Sequence, residues 1–324
     1  MIGTIKSHRW WRRLVWLVGT LGYAHAAWAG SQVDPNTAAH SVTTLRCDQQ
    51  RPVGEAVRIA STTLAGVPAI LRVPPRVSRP PIVLWHGFGP PETGQALMTA
   101  LPLDDVPAVK VYLGLPLFGR RAPPGGNREL ARLQSKDFAM LLFKPAVAGA
   151  ADELPRVVEA LRQRGCLAAG QPIDLMGFSA GGAAALIALI NGKVAVNAVA
   201  IINASTGLSV SVHALERMTR RPYTWTPASR ALAERTDAVR HAGEIARGRP
   251  PVALLIVQGQ GDNVLNPAAA TTLRDALRPY YVKNGDEKRL TLMLVPGMPH
   301  GWMADAQAAG KVRRAISDWF EQHG

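Results

Sequence analysis

Ser179 lies at the centre of a Gly-x-Ser-x-Gly pentapeptide, residues 177–181, and is the first candidate for a chemical role in this sequence. A short, mostly apolar run at 173–176 precedes the pentapeptide, and a small, apolar, unbroken run at 182–190 follows it. These runs predict a strand, a sharp turn and a helix. A serine on such a turn has a strained backbone, and its neighbours two residues away lie too close to other atoms to carry side chains. The pattern predicts a nucleophile; an idle serine in a tight turn is the alternative.

Two downstream residues have the chemistry to activate this serine. A serine is a weak nucleophile unless a histidine takes its proton and a carboxylate orients that histidine. An apolar strand predicted at 252–257 leads into a Gly-rich loop with Asp262, and a second strand predicted at 290–295 leads into a Gly/Pro-rich loop with His300. Each alone has an ordinary interpretation, as a turn aspartate or a loop histidine. Their shared order and placement at strand ends predict a catalytic triad with Ser179.

Two other aspartates compete for the carboxylate role. Asp305 follows the histidine, which is the wrong order for a serine–acid–histidine sequence. Asp237 lies in a polar segment that we interpret as a solvated helix.

An upstream loop is suited to stabilise a negative oxygen. His-Gly-Phe-Gly at 86–89 follows a predicted buried strand at 81–85. Small residues let backbone N–H groups approach the oxygen that becomes charged in a tetrahedral intermediate. We expect the N–H groups of Phe88 and Ala180 to form the oxyanion hole. We expect His86 to support the loop rather than to transfer protons.

These four elements, in this order, resemble the α/β-hydrolase superfamily over about residues 81–324. Within it the chain is similar to the dienelactone-hydrolase and prolyl-oligopeptidase-like branch, because residues 115–121 resemble a Pro-x-His-Gly-x-Arg stretch that follows the fourth strand there. Phe118 replaces the usual histidine of that stretch, and Leu115 replaces the usual aspartate. Dienelactone hydrolases proper use a cysteine nucleophile, so Ser179 implies esterase- or peptidase-type chemistry.

The resemblance implies an α/β fold with a mostly parallel sheet of about eight strands and helices on both faces. The sequence also alternates strands and helices from residue 82 onward, after a predicted hairpin within 56–73, which favours the same architecture. One stretch, 204–248, falls outside the alternation and is expected to be a lid-type insertion. Its Tyr223 and Trp225 would either line an acyl pocket or pack the insertion onto the body.

The implied activity is hydrolysis of a small-molecule carboxylic ester through an acyl-enzyme, with no cofactor and no metal ion. A peptidase or amidase of the prolyl-oligopeptidase type is the first alternative, which the short N-terminal region disfavours. A non-catalytic binding protein on the same fold is the second. The sequence does not identify the substrate-binding residues.

The N-terminus has the pattern of a secretory signal peptide at 1–29. Basic residues without any acid precede a short apolar run at 14–23, and an Ala-x-Ala site follows at 27–29. An uncleaved anchor is the alternative, but the apolar run is shorter than the roughly 20 residues that span a bilayer. We expect an exported, periplasmic or secreted protein without a stable membrane anchor. An irregular segment at 30–55 and a hydrolase domain at 56–324 would follow.

Cysteine count and charge bear on the compartment and the partners. Two cysteines, Cys47 and Cys166, predict one disulfide in an oxidising compartment, and two separate thiols are the alternative. The net charge is +14, but the basic residues are scattered and form no stripe with interleaved aromatic residues. We therefore expect no nucleic-acid partner.

Overall fold

One mixed sheet forms the centre of the part of the chain that the structure describes. The structure, a computed structural model, describes residues 46–47 and 56–324, so the expected signal peptide lies outside the described residues, as does most of the expected irregular segment. Eight strands lie in the order β1-β2-β4-β3-β5-β6-β7-β8. Strands β3 to β8 are parallel, and β1 and β2 are antiparallel to their neighbours. The strands are β1 Arg58–Leu64, β2 Val67–Val73, β3 Ile82–Trp85, β4 Lys110–Leu113, β5 Ile173–Phe178, β6 Val196–Ile202, β7 Ala253–Gly259 and β8 Leu290–Val295.

Burial along the strands explains their positions. Strands β3, β4, β5 and β7 are buried at every residue, as expected for parallel strands covered on both faces. Strand β1 alternates between half-buried and exposed residues, which suits the edge of the sheet. The turn of the predicted hairpin lies at Ala65 and Gly66, both with positive φ, and β1 runs up to it at Leu64.

Helices cover both faces of the sheet. Helices α1 and α9 share one hydrophobic cluster, in which Leu97, Val312 and Phe320 pack with strand residues such as Leu84 and Leu255. Helices α3, α4 and α8 pack against the other face, with α4 against β3, β5 and β6. The helices are α1 Gly94–Ala100, α2 Gly126–Asp137, α3 Gly149–Gln163, α4 Ala180–Asn191, α5 Leu208–Thr219, α6 Pro227–Arg235, α7 Ala242–Ile245, α8 Ala268–Asn284 and α9 Ala306–His323.

The region between β4 and β5 is largely helical. A π-helical segment, Phe138–Ala148, joins α2 to α3. Helices α5 to α7 lie between β6 and β7, within the stretch expected to be an insertion. Tyr223 of this stretch donates a hydrogen bond from Oη to Asp137 Oδ1 at 2.6 Å, which ties it to the start of the π-helical segment. Within the described residues, no helix combines the length and apolar character needed to cross a membrane.

Candidate active site

Ser179 lies on a strained turn between β5 and α4. Its backbone has φ 53° and ψ −115°, a conformation that L-residues rarely adopt. A Cβ on Gly181 would lie 2.3 Å from the carbonyl oxygen of Trp85, and a Cβ on Gly177 would lie 2.3 Å from that of Gly181. Only glycine fits at these two positions, as the pentapeptide predicted. The Ser179 N–H donates to Ile202 O at 3.0 Å, so the end of β6 holds the turn.

The structure brings Ser179, Asp262 and His300 together in one hydrogen-bonded chain. His300 Nδ1 lies 2.9 Å from Asp262 Oδ2, and His300 Nε2 lies 3.0 Å from Ser179 Oγ. Because a carboxylate only accepts, Nδ1 carries the proton and Nε2 is left to accept the serine hydrogen. The Asp262 side chain is fully buried, whereas that of His300 is 14% exposed. This arrangement can move a proton away from the serine hydroxyl.

Four donors surround the Asp262 carboxylate. Oδ1 accepts from the backbone N–H groups of Val264 and Leu265, each at 2.9 Å. Oδ2 accepts from His300 and, at 3.2 Å, from Nε2 of Gln258. A carboxylate has about four acceptor positions, so these bonds hold its orientation.

Asn203 joins the loops on which the acid and the histidine lie. It follows β6, is fully buried and has φ 43°, a left-handed conformation that asparagine tolerates. Its Nδ2 donates to the carbonyl oxygens of Pro299 at 3.0 Å and His300 at 2.9 Å. Its Oδ1 accepts from the Gly259 N–H at 2.8 Å.

Sequence reasoning missed both of these buried amides. The apolar patterns place Asn203 and Gln258 at the ends of two predicted strands and give neither side chain a role. A usable signal was present, because each is a polar side chain at the carboxyl end of an apolar strand, at the edge where Ser179 also lies.

The loop expected to hold the oxyanion lies against the nucleophile. A Cβ on Gly87 would lie 3.1 Å from Ser179 Cβ and 2.9 Å from the Phe178 ring, so Phe88 follows a residue in close contact with the turn. Ala180 is the first residue of α4, and the N–H there has no acceptor within the helix. The N-terminus of α4 also carries a partial positive charge from the helix dipole.

His86 connects this loop to the one after β4. Its Nδ1 donates to Gly87 O at 2.7 Å, and its Nε2 accepts from the Leu115 N–H at 3.1 Å. Complete burial lowers the pKa of His86 to about 4, so the ring is neutral near pH 7. This geometry agrees with the expected supporting role.

Phe118 and Arg121 occupy the stretch that departs from the dienelactone-hydrolase pattern. The Phe118 ring stacks on that of Phe88, with centroids 5.0 Å apart and planes at 8°. Arg121 forms a two-pronged ion pair with Glu153 of α3, at 2.8 and 2.5 Å. The loop after β4 is therefore held by aromatic stacking at one point and by an ion pair at the other.

The competing aspartates lie elsewhere and bind backbone groups. Asp305 Oδ1 accepts from Gln307 and Ala308 N–H and so caps α9. Asp237 lies in the turn between α6 and α7, rather than within a helix, and accepts from the N–H groups of Val239 and Arg240. Over the described ranges, no three His, Cys, Asp or Glu side chains are grouped to hold a metal ion.

The two cysteines are joined. Cys47 and Cys166 form a disulfide with Cα atoms 4.7 Å apart. The Cys47 N–H also donates to Arg164 O at 3.1 Å. The disulfide ties the chain near residue 47 to the segment after α3, which leads into β5 at the end of the strand remote from Ser179.

The family follows from a match over more than half of the chain. The model of the prolyl oligopeptidase family matches residues 146–324, which include Ser179, Asp262 and His300. The chain belongs to the prolyl oligopeptidase family. It is therefore a serine hydrolase, and the predicted α/β-hydrolase recognition is confirmed. A comparison with curated protein sequences gives no match.

Solved structures share the fold of this family member. The Thermus thermophilus protein TT1662 is 22% identical, with a TM-score of 0.62 over 82% of this chain and 99% of that one. Carboxyl esterase 2 from the fungus Tuber melanosporum is 17% identical, with a TM-score of 0.56 over 88% of this chain and 92% of that one. A Mycobacterium tuberculosis puromycin-hydrolyzing peptidase is 20% identical, with a TM-score of 0.55 over 82% of this chain and 39% of that one. At these identities the likeness concerns the fold alone, and the predicted α/β-hydrolase fold is confirmed.

Proposed function

We propose that this protein is an exported carboxylesterase that cleaves small-molecule esters through an acyl-enzyme on Ser179. The observation that carries the proposal is the continuous hydrogen-bonded chain from Asp262 through His300 to Ser179, with bonds of 2.9 and 3.0 Å. The proposal gives each of the three groups one role: nucleophile, base and orienting carboxylate.

Acylation begins with attack of Ser179 Oγ on the ester carbonyl. His300 Nε2 accepts the hydroxyl proton, and the Asp262 carboxylate stabilises the imidazolium that forms. The tetrahedral intermediate collapses, its bond to the alkoxide breaks, and His300 returns the proton to the leaving alcohol. Water then attacks the acyl-serine with His300 as base, which releases the acid and restores the hydroxyl.

The negative oxygen of the intermediate is held by backbone N–H groups in this scheme. The proposed donors are those of Phe88 and Ala180. Their support is the close approach of Gly87 to Ser179 and the place of Ala180 at the start of α4. Loss of one such donor typically costs about 10²–10³ in turnover.

The surroundings of the nucleophile favour an ester with an apolar part. The Phe88 ring, one residue beyond the contact with Ser179, stacks on the Phe118 ring. Phe88 and, in the loop before Phe118, Leu117 are half-buried, so part of each apolar side chain is open to solvent. An apolar acyl or alcohol group that covers this apolar area gains free energy, because the area is removed from water.

Peptidase or amidase activity is the second candidate, favoured by the family match itself. One solved structure with the same fold is a puromycin-hydrolyzing peptidase. The same triad cleaves amides when His300 protonates the leaving amine. The two candidates therefore differ in substrate, not in machinery.

Export is part of the proposal. It rests on the signal-peptide pattern at 1–29 and on the Cys47–Cys166 disulfide, since disulfides persist in oxidising compartments. Mass spectrometry of protein recovered outside the cytoplasm should show a chain that begins near Gly30. An intact mass that includes residues 1–29 would contradict cleavage.

A fluorophosphonate probe tests the catalytic assignment. It should label the purified protein on Ser179, and Ser179→Ala should abolish both labelling and ester hydrolysis. Ser317→Ala is the matched control, because Ser317 is also a buried serine but lies on α9. A folded Ser179→Ala protein that keeps more than about a tenth of the activity would refute the assignment, since loss of a nucleophile costs several orders of magnitude.

Paired substrates separate the two candidates. p-Nitrophenyl esters of increasing acyl length, compared with aminoacyl p-nitroanilides, give kcat/KM for ester and amide with a similar leaving group. The proposal expects a strong ester preference that rises with acyl length. Amide turnover equal to or above ester turnover would favour the peptidase.

A further inference from the structure

Gln258 is the only polar side chain in β7, whose other residues are apolar or glycine. It is 2% exposed. A buried amide costs free energy unless it is hydrogen-bonded, so an apolar residue would serve the strand better if packing alone mattered. The bonds of Gln258 therefore indicate why a polar side chain is present.

Both partners of Gln258 Nε2 are oxygen acceptors. Nε2 lies 3.1 Å from Gly259 O and 3.2 Å from Asp262 Oδ2. The reversed amide would set its own oxygen against these two oxygens, so the chemistry of the partners fixes the nitrogen in this place.

Asp262 Oδ2 is shared between this amide and the histidine. The same oxygen accepts from His300 Nδ1 at 2.9 Å. Hydrogen bonds to a carboxylate disperse its charge, and a buried carboxylate with fewer donors attracts a neighbouring cation more strongly. Gln258 therefore weakens the pull of Asp262 on the protonated form of His300.

From this shared oxygen we infer that Gln258 is a positioning residue that sets the pH range in which His300 acts as a base. The inference rests on the proposed function of the Ser179 site. Without Gln258, Oδ2 keeps only His300 as a donor, and the imidazolium becomes easier to form. The base is then lost at a higher pH than in the wild-type protein.

An additional charge near this pair is Arg217, whose Nη2 donates to Val264 O at 2.7 Å. It is present in both the wild type and a Gln258→Met variant, so it does not alter their comparison. Within the described part of the chain, Asp262 and His300 ion-pair only with each other. The remaining polar partners are the Ser179 hydroxyl and the N–H groups of Val264 and Leu265. On its other side, the His300 ring packs against Phe178 at 5.3 Å.

The test is the pH dependence of fluorophosphonate labelling of Ser179 in Gln258→Met, a variant of similar volume without the donor. The acid limb of the labelling rate should move to higher pH by about half a unit to one unit, the size expected for one lost hydrogen bond to a carboxylate. At pH values above the acid limbs of both proteins, the labelling rate of Gln258→Met should stay within about tenfold of the wild-type rate, because His300 remains as the base.

Tyr281→Phe is the matched control. It removes a buried hydrogen bond, from Tyr281 Oη to Val252 O at 2.6 Å, just before the opposite end of the same strand. Its thermal midpoint should fall while its acid limb stays in place. A limb that moves equally in Tyr281→Phe and Gln258→Met, or in neither, overturns the inference.

Two further outcomes are distinguishable. If wild type is not labelled on Ser179, the proposed function fails, whatever Gln258 does. If Gln258→Met does not fold, the wild-type protein still tests the inference by NMR. The chemical shift of the Gln258 side-chain amide nitrogen should then change with pH, with the same midpoint as the acid limb of the labelling rate. A chemical shift that does not change over that pH range overturns the inference.

Discussion

Asn203 donates a hydrogen bond from its side-chain Nδ2 to the backbone carbonyl of His300, at 2.9 Å. A second bond from the same nitrogen reaches the preceding carbonyl, of Pro299, and Asn203 Oδ1 accepts from Gly259. One buried side chain thus fixes the histidine loop relative to β7, which leads into the loop of Asp262. The distance from His300 to Asp262 depends on a residue that touches neither side chain.

Asn203→Ala should therefore lower kcat more than it raises KM. Loss of the three bonds frees the His300 loop, and small displacements of a base reduce turnover strongly. We expect kcat to fall by about 10–100-fold with KM within about threefold of wild type. Asn203→Asp should not restore kcat, because a carboxylate cannot donate to the two carbonyl groups.

Asn197→Ala is the control on the same strand. Asn197 is at the other end of β6, where its side chain donates to His323 O. It should cost stability without the loss of kcat. Equal effects of the two alanine variants on kcat would contradict the assigned role of Asn203.

The choice of acid gives a second prediction. Asp262→Asn should reduce kcat by about 10³–10⁴, since the amide misorients the histidine. Asp305→Asn and Asp237→Asn should leave kcat near wild type, because these side chains bind helix and turn N–H groups. Steady-state kinetics on all three variants tests the order, and a larger loss in Asp305→Asn would reverse the assignment.

The three residues of the proposed triad could be predicted from short sequence patterns around each of them. Ser179, Asp262 and His300 each follow an apolar strand, and the glycines beside Ser179 mark a close approach. The eight strands were predictable for the same reason, to within a few residues at their ends. The observed strand ends differ from the predicted ones because a turn such as Ala65–Gly66 sets how far backbone pairing continues, and a pattern of residue types does not contain that information.

The other side chains of the site could not be predicted, because their contacts depend on the order of the strands in the sheet, which no local sequence pattern contains. Strands β6, β7 and β8 lie side by side in the sheet. For that reason the Asn203 amide reaches the backbone of His300, and the Gln258 amide reaches the side chain of Asp262. The pair of Arg121 with Glu153 likewise joins residues 32 positions apart. The π-helical segment around Pro145 was missed because its irregular ladder has no clear hydrophobic period.

The buried His86 gives a third prediction, about stability against pH. Burial lowers its pKa from 6.5 to about 4 in the folded protein. Above pH 6.5 the ring is neutral in both states, so its contribution is fully present. As the pH falls from 6.5 towards 4, the unfolded chain takes up a proton that the folded protein does not, and the contribution is lost. The difference corresponds to about 3 kcal/mol.

The measurement compares wild type with His86→Gln, which has no such titration. Urea unfolding at pH 7.5, 6, 5 and 4 gives the free-energy difference between them, which should shrink as the pH falls. The comparison is needed because buried Asp174, with its pKa raised to about 7 by desolvation, contributes with the opposite sign in both proteins. A difference that stays constant with pH for His86→Gln would contradict its neutral burial.

The Cys47–Cys166 disulfide gives the last prediction. It closes a loop of 119 positions, for which chain entropy predicts a stabilisation of about 4–5 kcal/mol. Because the disulfide lies at the end of β5 remote from Ser179, its loss should lower the free energy of unfolding but leave kcat of the folded protein unchanged. Urea unfolding with and without dithiothreitol should differ in wild type and coincide in the double variant Cys47→Ser/Cys166→Ser. Two alkylatable thiols in the native, unreduced protein would show that the two cysteines are not joined, and the support that the disulfide gives to export would be lost with it.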